Sequence, residues 1–256
     1  MGLFVGTSGW QYRDWRGPFY PPKLAQAKWL EFYVERFRTV EVNNTFYRLP
    51  PPETFAGWAR RVPDDFVMVV KMSRYLTHVK RLRDAAEPVG RFFEHARPLG
   101  PKLGPVLVQL PPQLPADLPA LDDTLARFPS GVRAAVEFRH PSWFTDDTAA
   151  LLARHDAAFC LADSPRRRTP LWRTADWGYV RFHEGRASPP PCYGQRSLQT
   201  WAERIAGLWP PGADVYAFFN NDHRACAIRD ASVFAHAATR AGLHPTRVPD
   251  VIAIAS

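Results

Sequence analysis

The stretch AVEFRHPSW, residues 135–143, decides the fold. It begins as an apolar run of strand type, then carries Glu137, Arg139 and His140 before a proline ends it. Successive side chains of a strand point to opposite faces, so Val136 and Phe138 share one face while Glu137 and Arg139 share the other. One face is apolar throughout; the other turns ionic at the C-terminal end. That is the pattern of a barrel stave, with helices packed on its outer face and polar side chains gathered at the mouth.

Other runs of strand character lie at 4–8, 39–43, 66–71, 105–110, 157–163, 178–183 and 214–220, which with 133–139 makes eight. Segments with helical spacing separate them, at 28–37, 53–61, 89–97, 120–128, 147–155 and 198–209, and one more follows at 230–241. The link from Asp163 to Gly178 is too short and too rich in Pro and Arg for a helix. Alternating strands and helices imply right-handed crossovers and a parallel sheet. The expected fold is therefore α/β, a (β/α)8 TIM-type barrel forming one domain over 1–256, with its sixth helix missing or rudimentary. An open doubly wound sheet is the competing fold, but no glycine-rich phosphate loop follows any strand.

A chain of 256 residues with 46% hydrophobic residues can bury a full core. The formal charge of +8 favours anionic partners without naming them. Cys160, Cys192 and Cys226 are an odd set without CxxC spacing, so neither a disulfide framework nor a zinc ribbon is expected, and a reducing cytoplasm is the expected location. No export signal and no apolar run of about 18 residues is present, so no membrane partner is expected.

Parity nominates the site. Glu41 and Asn43 share the inner face of the second strand, and Tyr179, Arg181 and His183 that of the seventh. Lys71, Gln109, Asp163 and Asn220 end their strands with the same parity. Barrel enzymes carry their active sites at this C-terminal mouth. The plainer alternative is an ion-pair layer in which Glu41 and Glu137 neutralise Arg139 and Arg181. Replacing buried ion pairs by apolar residues is often neutral or stabilising, so stability alone accounts poorly for so many polar strand ends. The loops around the mouth carry Arg48, Arg74, Lys80, Arg81, Arg83 and the run Arg166 to Arg168, interleaved with aromatics such as Phe46, Tyr47, Tyr75 and Tyr193. A cationic mouth with flat apolar walls suits a phosphorylated sugar, a nucleotide or exposed nucleic acid.

Eight motifs, GTSGW (6–10), FYP (19–21), VEVNNTFYRLP (40–50), VVKMSRYLTH (69–78), LVQLPP (107–112), AVEFRHPSW, YVRFH (179–183) and FFNND (218–222), resemble in order and spacing the YecE-like family of bacteria and archaea, a domain of unknown function. The resemblance spans almost the whole chain and implies a TIM-type barrel with no established activity. Kinship of such folds with sugar isomerases and apurinic-site endonucleases is analogy only. The chain departs from the family locally: Arg181, Phe182, His183, Glu184, Gly185 stand where relatives carry RxHG, and the loop RASPPPCYG (186–194) follows.

Two chemistries compete. Glu41, Glu137, Asp163, His78, His140 and His183 are of metal-ligand type, but Lys71, Arg139 and Arg181 share their layer. Each such cation at about 6 Å would repel a divalent ion by roughly 5 to 6 kcal/mol at an effective dielectric of about 20. No cofactor is required by the sequence, and a divalent metal is the minority reading. The favoured reading is a small anionic ligand held by Arg139 and Arg181, with Lys71 as a point charge. Glu41 or Glu137 would act as base and His78 or His183 as proton donor in an isomerisation or elimination, or Lys71 would form a Schiff base. Asn43, Gln109, His140, Asp163, Tyr193, Asn220 and Asn221 complete the expected ligand-binding set. The alternative is a nucleic-acid-binding or metal-dependent endonuclease-like protein acting on DNA or RNA. Oligomeric state is not specified by the sequence.

Overall fold

The computed structural model describes residues 2–165 and 167–251; Arg166 of the basic run lies outside them. In chain order the strands are β1 (Leu3–Thr7), β2 (Thr39–Val42), β3 (Val67–Lys71), β4 (Leu103–Gln109), β5 (Ala134–Glu137), β6 (Ala158–Ser164), β7 (Arg167–Arg168), β8 (Gly178–Phe182) and β9 (Val215–Phe219). The helices are α1 (Trp29–Val34), α2 (Asn44–Tyr47), α3 (Pro52–Arg61), α4 (Ala86–Ala96), α5 (Leu118–Ala126), α6 (Asp146–Arg154), α7 (Gln195–Leu208) and α8 (Cys226–Arg240). This is the expected α/β barrel: eight parallel strands hydrogen-bonded in the order β1-β9-β8-β6-β5-β4-β3-β2, with the short β7 running antiparallel to β6. Among the described residues no helix joins β6 to β8.

Local chemistry sets the element boundaries. Asp117 caps α5 by accepting from the Ala120 amide at 3.1 Å, and Thr145 caps α6 by accepting from the Thr148 amide at 3.3 Å. Pro52 opens α3, where a missing amide hydrogen costs nothing. β2, β5, β8 and β9 are buried along their whole lengths, as strands covered on both faces must be.

The chain folds as two compact units. The first comprises 1–41, 161–169 and 176–256, the second 42–160 and 170–175. In the first unit β9 pairs in register with both β1 and β8, so that Val215 faces Leu3 on one side and Gly178 on the other. Its outer helix α7 buries Leu198, Trp201, Ala202 and Ile205, the one-sided stripe of an amphipathic helix. A Cβ at Gly6 would meet the Thr39 carbonyl oxygen at 2.5 Å, so β1 approaches that backbone more closely than any side chain allows. In the second unit β4 pairs with β3 and β5, and β5 with the start of β6.

The cysteine expectation is corrected here: Cys192 and Cys226 form a disulfide, and Cys160 is buried outside that bridge. The partners are 34 residues apart in sequence, and their Cα atoms lie 5.0 Å apart. An odd count without CxxC spacing leaves a bridge of this kind unreadable, because it follows from how the loop after β8 packs and not from local spacing.

Candidate functional site: two strand-end clusters

In the first unit the polar strand ends form a buried ion-pair layer. Arg181 donates from Nη2 to Glu41 Oε1 at 2.7 Å, and the Tyr179 hydroxyl donates to Glu41 Oε2 at 2.6 Å. Both carboxylate oxygens are thus engaged, and all three residues are fully buried or nearly so. Asp222 belongs to the same neighbourhood. Burial pushes its carboxyl up to about 7, against the lowering effects of the Tyr12 hydroxyl and the Arg181 charge and with the Glu41 charge adding to the rise. Tyr12 is itself pushed upward by burial and by Asp222, and its hydroxyl donates to the Ser8 carbonyl. The Trp15 indole holds the Asp222 backbone by donating to its carbonyl at 2.8 Å.

The remaining expected residues of this unit serve several roles. His183 Nδ1 accepts from the Asn220 amide at 3.0 Å, and both are half-buried. Asn221 is buried, donating to Asp230 at 2.7 Å and to the Pro191 carbonyl at 3.2 Å; Tyr193 donates its backbone amide to the same carboxylate at 2.8 Å. These bonds tie the disulfide loop to α8. Tyr193 also donates its hydroxyl to the Asp163 carbonyl at 3.0 Å, and both residues line a cavity of about 400 Å³ with Glu184, Arg186 and Arg204.

In the second unit a different cluster forms at the ends of β3, β4 and β5. Lys71 Nζ donates to Gln109 Oε1 at 2.7 Å, and the same ammonium lies 4.2 Å from the centroid of Phe46. The rings of His78 and Phe46 meet edge to face, with centroids 4.9 Å apart. Gln109 faces Glu137 across the β4–β5 register, and fully buried Glu137 accepts from Arg139 Nε at 2.9 Å. Thr45 at the start of α2 fixes the arrangement, donating to the Lys71 carbonyl at 2.7 Å and accepting from the Lys71 amide at 3.2 Å. Burial and the charges of Lys71, Arg139 and Arg74 together hold His78 down at about 4, so at neutral pH it is an uncharged imidazole in a positive field. Its Nδ1 pairs with the Thr77 hydroxyl at 2.9 Å.

Five of the expected residues, Lys71, His78, Gln109, Glu137 and Arg139, are therefore brought into one cluster. Asn43 stands at the N-cap of α2, half-buried, and its carbonyl accepts from the Phe46 amide at 3.1 Å. His140 caps the short turn Pro141–Trp143 through Nδ1, which accepts from the Ser142 amide at 3.3 Å, a structural duty that its sequence position gave no sign of. The Arg139 and Arg181 guanidinia each bond to a carboxylate of their own unit. The expectation of a two-arginine anion clamp thus meets two arginines that already hold carboxylates. Among the described residues no three His, Cys, Asp or Glu side chains gather to hold a metal, so the six candidate ligands do not form a donor set. Sequence reasoning passed over Asp222 and placed Phe46 and Arg74 only in the loops around the mouth. Asp222 was readable, since two residues beyond Asn220 it keeps the same parity.

Comparison with known proteins gives a consistent picture. The family model described as "Protein of unknown function DUF72" matches residues 4–251. The UPF0759 protein YecE of Escherichia coli K12 is 35% identical over 143 residues, which is 56% of this chain and 50% of that protein, so the match spans half the length of that relative. The UPF0759 protein YunF of Bacillus subtilis 168 is 26% identical over 253 residues, covering 86% of this chain and 89% of its own. A crystal structure of a DUF72 family protein from Thermotoga maritima superposes with a TM-score of 0.81 at 30% identity, covering 92% of this chain and 98% of that one.

Proposed function

On the premise that the chain belongs to the DUF72 family, which its match over residues 4–251 shows, we propose that it binds a small anionic ligand, a phosphorylated sugar or nucleotide-like molecule, at the ends of β3, β4 and β5. The observation that carries this reading is the run of contacts in which Lys71 and His78 meet the Phe46 ring, Lys71 bonds Gln109, and Gln109 faces Glu137 with its partner Arg139, setting the charges of Lys71, Arg139 and Arg74 against that of Glu137. Lys71 and Arg139 would supply the charge that an anion answers, and Gln109 an amide that orients it. The proposed chemistry is proton transfer in an isomerisation or elimination. His78 is uncharged at neutral pH and is a weak base while the positive field stands. A bound anion cancels part of that field and raises its basicity, so the ligand itself would prepare the base. Glu137, bonded to Arg139, is the second proton-transfer candidate.

A thermal-shift screen with inorganic phosphate and phosphorylated sugars tests this. Ligand at about 100 times its dissociation constant stabilises by about 2.7 kcal/mol, a readily measured rise in melting temperature. The rise should vanish in Lys71→Met and shrink in Arg139→Gln. If no phosphorylated compound shifts the wild-type protein, the proposal is wrong. A cytoplasmic location belongs to the same proposal. No helix among the described residues is long and apolar enough to cross a membrane, and alkylation of Cys192 and Cys226 inside cells tests the compartment. Trapped free thiols would fit a reducing compartment, whereas the intact disulfide would place the chain outside one.

A further inference from the structure

The second unit carries a groove of about 630 Å³ beside α2, α4 and the segment after β3. Its walls include Tyr47, Arg48, Arg74, Tyr75, Val79 and Arg91, and no Asp or Glu is among the lining residues. Two properties set it apart from ordinary surface. Tyr47 is 72% exposed, Val79 62% and Tyr75 43%, so flat and apolar side chains stand in solvent where folding would bury them. The guanidinia of Arg48 and Arg74 are exposed and make no hydrogen bond or ion pair with any described residue, while that of Arg91 reaches Glu87 only at 3.9 Å.

The backbone of one wall is also unusual. Tyr75–Val79 forms a single π-helical turn, and Arg81, Leu82 and Asp84 follow with φ of 53°, 66° and 48°, in the left-handed region that side chains rarely adopt. Buried Leu82 pins this loop, its amide donating to the Leu76 carbonyl at 3.0 Å. Three left-handed residues without glycine cost energy, and such strain is typically kept where a surface must be presented in a fixed form. Arg81 and Arg83, both exposed, extend the positive charge along the same loop.

We propose that this groove binds an unpaired stretch of nucleic acid, with a base stacked on Tyr47 or Tyr75 and neighbouring phosphates on Arg48 and Arg74. The chemistry selects this occupant. A groove walled by arginines without an acid repels a basic partner and attracts a polyanion. Exposed tyrosine faces offer each base a stacking platform whatever its identity, and guanidinia hold phosphates bidentately. An acidic peptide would use the arginines but not the ring faces. A duplex hides its bases and would use the charge alone. The site goes beyond the anion cluster at Lys71 and shares Arg74 with it, so variants at Tyr47, Tyr75 and Arg48 test the groove separately.

Fluorescence anisotropy with labelled single-stranded oligothymidine, the same sequence as a duplex, and heparin provides the test. The single strand should bind at low salt with an affinity that falls steeply against log salt. The double variant Tyr47→Ala/Tyr75→Ala should weaken it by about tenfold or more, while Tyr47→Phe/Tyr75→Phe should bind like the wild type because the ring faces remain. Arg48→Ala should lower the salt slope by about one. Since these side chains are exposed, the variants are expected to keep the wild-type melting temperature, and the phosphate response of the Lys71 cluster should be unchanged. The proposal is overturned if the single strand does not bind at low salt, if the alanine pair binds it as tightly as the wild type, or if duplex and heparin bind equally well and lose nothing in that pair.

Discussion

At the end of β8, Arg181 gives its guanidinium to Glu41, whose other oxygen takes the Tyr179 hydroxyl. At the end of β3, Lys71 gives its ammonium to the neutral amide of Gln109 and to the ring face of Phe46. The same parity rule delivers both cations to strand ends, yet the two clusters differ in balance. In the first cluster the carboxyl pushed off its ordinary pKa is that of Asp222, raised by burial and helped by Glu41. In the second the shifted group is a base, His78, lowered by burial and by three cations. The first cluster therefore pairs its cation with a carboxylate and is rich in carboxylate, which suits a structural layer. The second holds a positive field, which is the condition for receiving an anion from outside.

The largest expected effect breaks the first cluster. Arg181→Met leaves Glu41 buried without its cation and should cost about 3 to 5 kcal/mol, a fall in melting temperature on the order of 10 °C by calorimetry. Removal of the disulfide by Cys192→Ser/Cys226→Ser should cost somewhat less, about 2 to 4 kcal/mol in denaturant unfolding, since it ties only the loop before α7 to α8.

Next comes a pH effect. The folded chain holds the Asp222 proton up to about pH 7, whereas an unfolded aspartate releases it near pH 4, at about 3.9. The folded state binds that proton more tightly, so the contribution is full below about pH 4 and is lost as pH rises through about 7. Asp222→Asn should therefore melt higher than the wild type at pH 8 and show a flatter dependence between these limits. Identical pH profiles for the two proteins would remove Asp222 from the comparison. The smallest effect on stability is expected from Lys71→Met. It removes one cation from a cluster already in excess, so a change within about 1 kcal/mol is expected, together with a rise in the His78 pKa.

Much of the frame was legible from the sequence. The apolar runs lie within a few residues of the observed strands because their ends are set by local chemistry, such as the proline after His140 and the Asp117 and Thr145 caps. Parity also places Glu41, Lys71, Gln109, Glu137, Arg139 and Arg181 among the polar strand-end side chains, since alternation is a property of each strand alone. The choice of partner could not be read this way. Glu41 and Arg181 are 140 residues apart, and the disulfide cysteines 34, so their pairing depends on tertiary packing. Arg139 pairs with Glu137 two residues back in sequence, a local pairing within the ion-pair layer that the sequence offers as the plainer alternative. The capping bond of His140 is likewise set by how its ring turns toward the next turn, which spacing alone does not give.

The central claim is that the positive field at His78 is a site for an anion. Nuclear magnetic resonance titration of the His78 ring, assigned by His78→Gln and repeated with and without saturating phosphate, tests it most directly. The account predicts titration at about 4 in phosphate-free buffer and a clear upward shift when phosphate is bound, because an anion beside the ring favours the imidazolium. A ring that titrates near the ordinary histidine value of about 6.5, and does so whether or not phosphate is present, would contradict it.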